Sequence, residues 1–253
     1  MLATDRHNII LDLLSKERSI KNTELVKILN VSLETIRRDL DTLSKEGLLQ
    51  KVHGGATHNT KIVETPYSTR AFNNISEKIE LAKIAVKYIG EGDTIALNSS
   101  TTNLEIVKLI KEKNISVTLL TNSLLIANEI YNCDNINLIL AGGIYSKKEF
   151  AFLGQVTADF LKQFTVNKCF LSVGGISLKK GITDFYIDEV LVEKQLIDIS
   201  EEIIIVSDSS KFENNSLFNV CELNKINFLI TDSNLNPTIK DEYLNNGINI
   251  INL

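Results

Sequence analysis

Short apolar runs alternate with longer amphipathic segments through most of this 253-residue chain, and this alternation constrains the fold more than any other feature. Strands that are apolar on both sides must be covered on both sides, and segments of helical periodicity between them supply the cover. The pattern predicts a mostly parallel, open α/β sheet. The expected strands are residues 94–97, 117–120, 136–140, 169–173, 203–206, 228–230 and 248–251, and the expected helices include 76–89, 102–112, 123–131 and 188–199.

The first 59 residues follow a different pattern, with three short helical segments followed by a hairpin. Apolar residues recur at helical spacing after Thr4 and again from Asn22, and Ser32 is the best candidate for the N-cap of a third helix that ends near Gly47. Residues 48–53 and 56–58 then predict two strands joined at Gly54 and Gly55. This order is typical of a winged helix-turn-helix, whose second motif helix enters the major groove of DNA.

Polar and basic side chains are concentrated where such a helix would meet DNA. The candidate DNA contacts are Ser32, Glu34, Thr35, Arg37 and Arg38 on the third helix, with Lys51 and His53 on the hairpin. Arginine grips guanine or phosphate, and threonine reaches a base or phosphate. Asp39 and Asp41 are better assigned to pairing with nearby basic residues. For any single residue, an ordinary solvated helix face is an equally good interpretation.

Composition and charge divide the chain into parts with different tasks. Residues 1–60 hold nine Lys and Arg against eight Asp and Glu, so the acidity behind the net charge of −5 belongs to the remainder. We predict a DNA-binding domain at residues 1–59, a polar linker at 60–75 that contains Pro66, and a sensing domain at 76–253. No apolar run is long enough for a membrane span or matches a signal peptide, which predicts a cytoplasmic protein. Cys133, Cys169 and Cys221 are too far apart for a metal site and predict reduced thiols.

Polar loops follow the expected strands at the edge where open α/β sheets bind ligands. The run from Asn98 to Thr102 offers hydroxyls and N–H groups at a helix N-terminus, which suits an anion. Further polar residues after later strands include Asn122, Gly142, Gly143, Thr183, Asp208 and Lys211. Each alone is ordinary loop composition. Together they predict a site for a small anion such as a phosphorylated sugar or polyol. A dinucleotide is less favoured, because no GxGxxG motif follows the first strand. No cofactor or metal is expected.

Residues 25–56 resemble the DNA-binding signature of the DeoR family of bacterial transcriptional regulators. The resemblance is strongest in Val31-Ser32, in Thr35-Ile36-Arg37-Arg38-Asp39-Leu40 and in His53-Gly54-Gly55-Ala56. Later stretches are similar to the sensor domain of the family, which is related in fold to sugar-phosphate isomerases. The matching stretches are residues 120–123, 140–143, 154, 174–176, 181–183 and 207–212.

The resemblance implies a repressor of sugar-uptake or sugar-catabolism genes that a phosphorylated sugar metabolite releases from its operator. By position it implies an effector site formed by Asn98, Ser99, Ser100, Thr101, Thr102, Asn122, Gly142, Gly143, Thr183, Asp208 and Lys211. The family usually has Asp and, two residues on, Gly in the first loop, where this chain has Asn98 and Ser100. Either the effector differs or the loop binds it less tightly.

Two other functions remain open at this point. A sugar-phosphate isomerase or deaminase fused to a DNA-binding module would need a general base, for which Asp184, Glu189 and Asp208 are candidates. An activator would use the same parts as a repressor. Operator half-sites read by a symmetric pair of helices favour a homodimer or homotetramer, and no membrane partner is expected.

Overall fold

The computed structural model describes residues 3–17, 19–45, 49–58 and 66–252. The chain divides into two compact units, Met1–Asn74 and Ile75–Leu253. No helix among the described residues is long and apolar enough to cross a membrane. Parts of the predicted third helix, hairpin and linker lie outside the described residues. They are Gly47, Leu48 and residues 60–65.

The first unit has the helices and the hairpin that its sequence predicts. Its elements are α1 (Ala3–Glu17), β1 (Ser19–Lys21), α2 (Asn22–Leu29), α3 (Leu33–Lys45), β2 (Leu49–Val52), β3 (Gly55–His58) and α4 (Tyr67–Arg70). Ile36, Leu40 and Leu43 of α3 are all buried, as their helical spacing predicts. Ile28 lies three residues after the buried Leu25 of α2, a spacing that predicts burial, but it is 51% exposed.

Two short elements of the first unit were not predicted. β1 pairs antiparallel with β3, which makes the hairpin a three-stranded sheet in the order β1-β3-β2. A Cβ on Gly55 would lie 2.2 Å from the carbonyl oxygen of Ile20, so glycine is needed where β1 approaches. α4 falls inside the segment expected to be a linker. It begins directly after Pro66, whose fixed φ suits the start of a helix.

The second unit is built on the predicted parallel sheet. Its elements are α5 (Ile75–Ala85), β4 (Thr94–Leu97), α6 (Thr101–Glu112), β5 (Val117–Thr121), α7 (Leu124–Ile130), β6 (Ile136–Leu140), β7 (Ile144–Ser146), β8 (Ala151–Leu153), α8 (Gln155–Leu161), β9 (Val166–Leu171), β10 (Gly175–Ser177), β11 (Gly181–Asp184), α9 (Ile187–Asp198), β12 (Ser200–Val206), β13 (Phe218–Cys221), β14 (Phe228–Ile230), α10 (Pro237–Asn245) and β15 (Ile250–Ile251). Single turns of 3-10 helix lie at Val86–Tyr88, Ser209–Lys211 and Leu223–Lys225.

Seven parallel strands form the main sheet in the order β15-β14-β12-β9-β4-β5-β6. Successive strand residues belong to separate hydrophobic clusters. For example, Ala96 and Cys169 lie in one cluster and Leu97 and Phe170 in the other. The sheet is therefore covered on both faces. The chain runs from β4 outward to β6 and then returns to place β9 on the other side of β4. The switch in strand order lies between β4 and β9, where open α/β sheets bind ligands.

Antiparallel elements are the main difference from the predicted fold. β7 and β8 form a hairpin, and β10, β11 and β13 form a small sheet of their own. Residues 181–184 were expected to be a loop after the fourth strand, but they are β11, so Thr183 lies within a strand. These strands are three or four residues long, too short for an alternating pattern to identify them.

Candidate functional site

The N-terminal end of α3 is held by the residue that the sequence predicts as its cap. The Ser32 hydroxyl oxygen accepts from the Thr35 N–H at 3.1 Å, and the two hydroxyls lie 2.9 Å apart. Asn30 ends α2 in a left-handed conformation with φ of 50°. The turn between the two helices is therefore tight, and α3 starts at a defined residue.

The outward face of α3 carries free positive charge. Glu34, Arg37 and Arg38 are exposed and Thr35 is partly exposed, while Ile36 and Leu40 face the core. Within the described part of the chain, neither arginine side chain makes a hydrogen bond or ion pair. Both guanidinium groups are thus available to an outside partner with acceptor groups, such as phosphate oxygens or guanine.

Asp39 points the opposite way and joins α3 to α1. Its carboxylate, in a residue only 4% exposed, accepts two hydrogen bonds from Arg6, at 2.7 and 2.9 Å, and lies 3.2 Å from His7 Nε2. Burial opposes ionisation of this carboxyl, but the hydrogen bonds from Arg6 and His7 outweigh it and lower the pKa of Asp39 below its usual range. The predicted pairing of Asp39 with a basic residue is confirmed.

The predicted wing contacts lie on the exposed side of β2 and the turn after it. Lys51 and His53 are both exposed, and Gly54 makes the turn with φ of 86°. The Lys51 ammonium forms an ion pair with Asp41 on α3, so this predicted DNA contact already has a partner within the unit. Asp41 therefore also pairs with a basic residue, as the sequence predicts.

A second group of predicted residues lies at the carboxyl edge of the main sheet. Ser100 caps α6 by accepting from the Asn103 N–H at 2.9 Å. Helix geometry leaves the N–H groups of Thr101 and Thr102 without an intrahelical acceptor. Ser100, Thr101 and Thr102 are each at least nine-tenths buried. This edge therefore presents donors at the positive end of a helix dipole, the arrangement that suits an anion.

Two of the predicted loops are joined directly. The Ser99 N–H donates to Asn122 Oδ1 at 3.0 Å, which links the loop after β4 to the loop after β5. The same residues also contact the β7–β8 hairpin. Ser99 Oγ donates to the Glu149 carbonyl, and Asn122 Nδ2 donates to the Phe152 carbonyl. The hairpin is therefore tied to the candidate anion site, a link that sequence reasoning missed.

Asn98 has a different environment from the one that the sequence suggests. Its side chain is buried and hydrogen-bonded to Ser172, Glu193 and Asn103. These partners occupy both amide hydrogens and the amide oxygen. The structure thus shows Asn98 joining the loop after β4 to the loop after β9.

The remaining predicted residues are spread along the same edge. Gly142 and Gly143 follow β6, and a Cβ on Gly143 would lie 2.1 Å from Thr157 Oγ1. Thr183 donates to the Gly175 carbonyl and accepts from the Ser216 N–H, so its hydroxyl is engaged within the protein. Parallel topology brings the residues after β4, β5, β6 and β12 to one edge, but no hydrogen bond joins Gly142, Gly143 or Thr183 to the Ser99–Asn122 pair in the described chain.

Asp208 directly precedes the single 3-10 turn after β12, and Lys211 ends that turn. Asp208 accepts from the N–H and hydroxyl of Ser210 and so caps this turn. Lys211 is partly exposed, and its ammonium makes no hydrogen bond or ion pair with any residue that the structure describes. β12 lies two strands from β4, which puts the two loops about 10 Å apart.

Sequence reasoning also missed a buried polar cluster at the switch between β4 and β9. Glu193 on α9 and Asn103 on α6 are almost fully buried, and both contact Asn98. A polar residue at a core-facing position of each helix was the signal that could have found them. Across the described ranges, no three or more His, Cys, Asp or Glu side chains are grouped to hold a metal ion.

Both units match known protein families. The model for the DeoR-like helix-turn-helix domain matches residues 6–62, and the model for the DeoR C-terminal sensor domain matches residues 73–233. The uncharacterized HTH-type transcriptional regulator YulB of Bacillus subtilis is 37% identical over 94% of this chain and 92% of its own length. The glycerol-3-phosphate regulon repressor of Escherichia coli is 30% identical over 92% of each chain.

One solved structure that the chain resembles is a ribose 5-phosphate isomerase from Methanocaldococcus jannaschii. The likeness covers 55% of each chain, with 18% identity and a TM-score of 0.40. The relatives above are named as regulators of transcription and not as enzymes. Because family models match both units and the relatives match over nine-tenths of its length, this chain belongs to the DeoR family of transcriptional regulators.

Proposed function

We propose that this regulator is a repressor of sugar-uptake or sugar-catabolism genes that a phosphorylated sugar or polyol releases from its operator. The observation that carries the proposal is the face of α3, where Arg37 and Arg38 are exposed and have no partner in the described chain. Base edges and phosphates of a DNA major groove supply the acceptors that these donors lack. One chain has few basic contacts, so we propose a homodimer or homotetramer that reads repeated half-sites.

The effector half of the proposal depends on the carboxyl edge of the main sheet. The N-terminus of α6 offers Thr101 and Thr102 N–H groups, and Lys211 offers a positive charge about two strand spacings away. If the phosphate of the effector binds at the N-terminus of α6 or at Lys211, the hydroxyl groups of the effector can span the sheet edge between these two positions. The name of the Escherichia coli relative, a glycerol-3-phosphate regulon repressor, supports the same class of compound. Such an effector acts in the cytoplasm, where we expect the protein to act.

The regulator is released from DNA if the effector favours an arrangement of the oligomer in which the recognition helices do not fit the operator. A coupling typical of allosteric proteins, about 1–3 kcal/mol, changes DNA affinity about 5–150-fold. An activator would use the same two sites, because the sign of regulation depends on where the operator lies relative to the promoter. The names of the relatives, which are regulators of transcription and not enzymes, support a regulator over the enzyme alternative.

The test begins with DNA fragments selected from a random library by the purified full-length protein. Gel-shift titration of a selected fragment then measures affinity with and without glycerol 3-phosphate, glucose 6-phosphate and fructose 1-phosphate, with glycerol and inorganic phosphate as controls. We expect one phosphorylated compound to raise both the melting temperature and the protein concentration needed for half-saturation of the DNA. Selection of no sequence would contradict the DNA half, and release by none of a wider panel of phosphorylated sugars and polyols would contradict the effector half.

A further inference from the structure

The Asn98 amide is the centre of a network that joins four segments of the second unit. Asn98 Nδ2 donates to the Ser172 carbonyl at 2.8 Å and to Glu193 Oε1 at 3.0 Å. Its Oδ1 accepts from the Ser172 N–H at 3.0 Å and from Asn103 Nδ2 at 2.8 Å. The loops after β4 and β9 are thus joined to each other, to α6 and to α9 at the switch in strand order.

Glu193 is the acidic member of this network and has no access to water to support a charge. The titratable groups that face it are Asp184 at the end of β11, Glu189 one turn earlier on α9 and Cys221 on β13. Burial, followed by the charge of Asp184, raises the pKa of Glu193 well above its usual range. Glu193 Oε1 accepts from Asn98 Nδ2, and the buried Oε2 has no hydrogen-bond partner among the described residues.

A carboxylate at position 98 would not fit this network. It would lose the two N–H donors that reach Ser172 and Glu193, and it would add another acid beside Glu193. An amide supplies both the donors and the acceptor that the network uses. The Asn98 amide and the carboxyl group of Glu193 on α9 are therefore chemically matched.

We propose that Glu193 is a positioning residue of the effector site and that Asn98 and Glu193 act as one matched pair. Through Asn98, Glu193 holds the loop that continues into Ser99, whose N–H bonds Asn122, and into the cap of α6. The pair therefore sets the geometry of the donors that would receive a phosphate. This role rests on the proposed effector site.

The experiment is a double-variant cycle on the full-length chain with Asn98→Asp, Glu193→Gln and the exchanged pair Asn98→Asp/Glu193→Gln. We expect Asn98→Asp to lower the melting temperature by about 4–10 °C at pH 8. The loss of melting temperature becomes smaller at pH 5, because the added carboxyl takes up a proton beside Glu193. In the exchanged pair, the introduced glutamine amide donates to the introduced carboxylate. The melting temperature of the double variant therefore falls by less than the sum of the decreases in the two single variants. Asn137→Asp and Glu112→Gln, both at exposed positions, are the matched controls.

A second measurement separates positioning from stability. The concentration of glycerol 3-phosphate that half-saturates the thermal shift is determined for each variant that remains folded, with inorganic phosphate as a second probe. We expect Asn98→Asp to weaken binding about 5–150-fold and the exchanged pair to recover part of that loss. Additive effects on melting temperature with no pH dependence would overturn the matched pair.

Unchanged binding in Asn98→Asp and Glu193→Gln would overturn the positioning role. If neither probe raises the melting temperature of the parent chain, and no compound of a wider phosphosugar panel does so, the proposed effector site is wrong. Glu193 then has no positioning role. The stability cycle would still decide whether the two residues are coupled, so the two failures are distinguishable.

Discussion

Lys51 on the wing donates to the Asp41 carboxylate on α3, so a side chain predicted to meet DNA is held by an acid of the same unit. The Lys51 and Asp41 side chains are 38% and 53% exposed, and exposed ion pairs contribute only about 0.2–1 kcal/mol. A DNA phosphate can therefore compete with Asp41 for the Lys51 ammonium. The pair orients Lys51 beside the outward face of α3.

Removal of Asp41 is expected to strengthen DNA binding. Asp41→Ala leaves Lys51 without this competing carboxylate and removes a negative charge from the helix, so we expect about two- to fivefold tighter binding. The dependence of affinity on salt should become steeper, and fluorescence anisotropy titrations at several salt concentrations measure both quantities. Asp241→Ala removes the same charge from an exposed position on α10 and is the control. Weaker binding by Asp41→Ala would show that the acid itself helps to recognise DNA.

Arg38 is expected to contribute directly to operator affinity. Arg38→Ala removes an exposed guanidinium without disturbing the core, and loss of a good base or phosphate contact corresponds to about 5–150-fold weaker binding. Gel-shift titration with a selected DNA sequence measures the change. Lys113→Ala, which removes an exposed positive charge after α6, should bind like the parent. Equal affinity for Arg38→Ala and the parent would exclude Arg38 from the interface.

The buried Asp39 carboxylate is expected to make stability depend on pH. Its pKa is lower in the folded chain than its usual value of about 4, so its ion pair contributes fully above that value and the contribution is lost as pH falls through the folded pKa. Asp39→Ala should reduce the free energy of unfolding by about 1–3 kcal/mol at pH 7 and by less in acid. Urea unfolding at pH 7 and at about pH 2.5, well below the usual pKa of the group, measures both differences. A loss that is the same at both pH values would mean that packing, and not charge, is responsible.

Lys211 is expected to be needed for the effector response but not for DNA binding. Lys211→Ala removes the partly exposed ammonium two strands along the same sheet edge from the N-terminus of α6, so a compound that releases the parent from DNA should no longer release the variant. The matched control is Lys225→Ala, because Lys225 also ends a single 3-10 turn of the same unit. Gel-shift titrations with and without the compound compare the three proteins. A parent-like response in Lys211→Ala would remove this residue from the site.

Local patterns were sufficient to predict most of the regular elements. Helical spacing identified the buried residues of α3, and the Ser32 cap follows from residue type alone because the bond that it makes spans only three positions. Strands β4, β6 and β14 have the bounds that their apolar runs predict. Such features depend on neighbours in the chain, which the sequence contains directly.

The sequence by itself determined the two-part organisation, the parallel sheet and the outward face of α3, because periodicity decides which side of an element is apolar. Only the tertiary structure decided how the polar residues are used. Asp39 bonds a residue 33 positions away and Asn98 bonds one 95 positions away, and no local pattern encodes such distances. The antiparallel strands β7, β10 and β11 likewise depend on partners that the fold brings to them. Segments as short as these have no periodicity of their own, so packing selects their conformation.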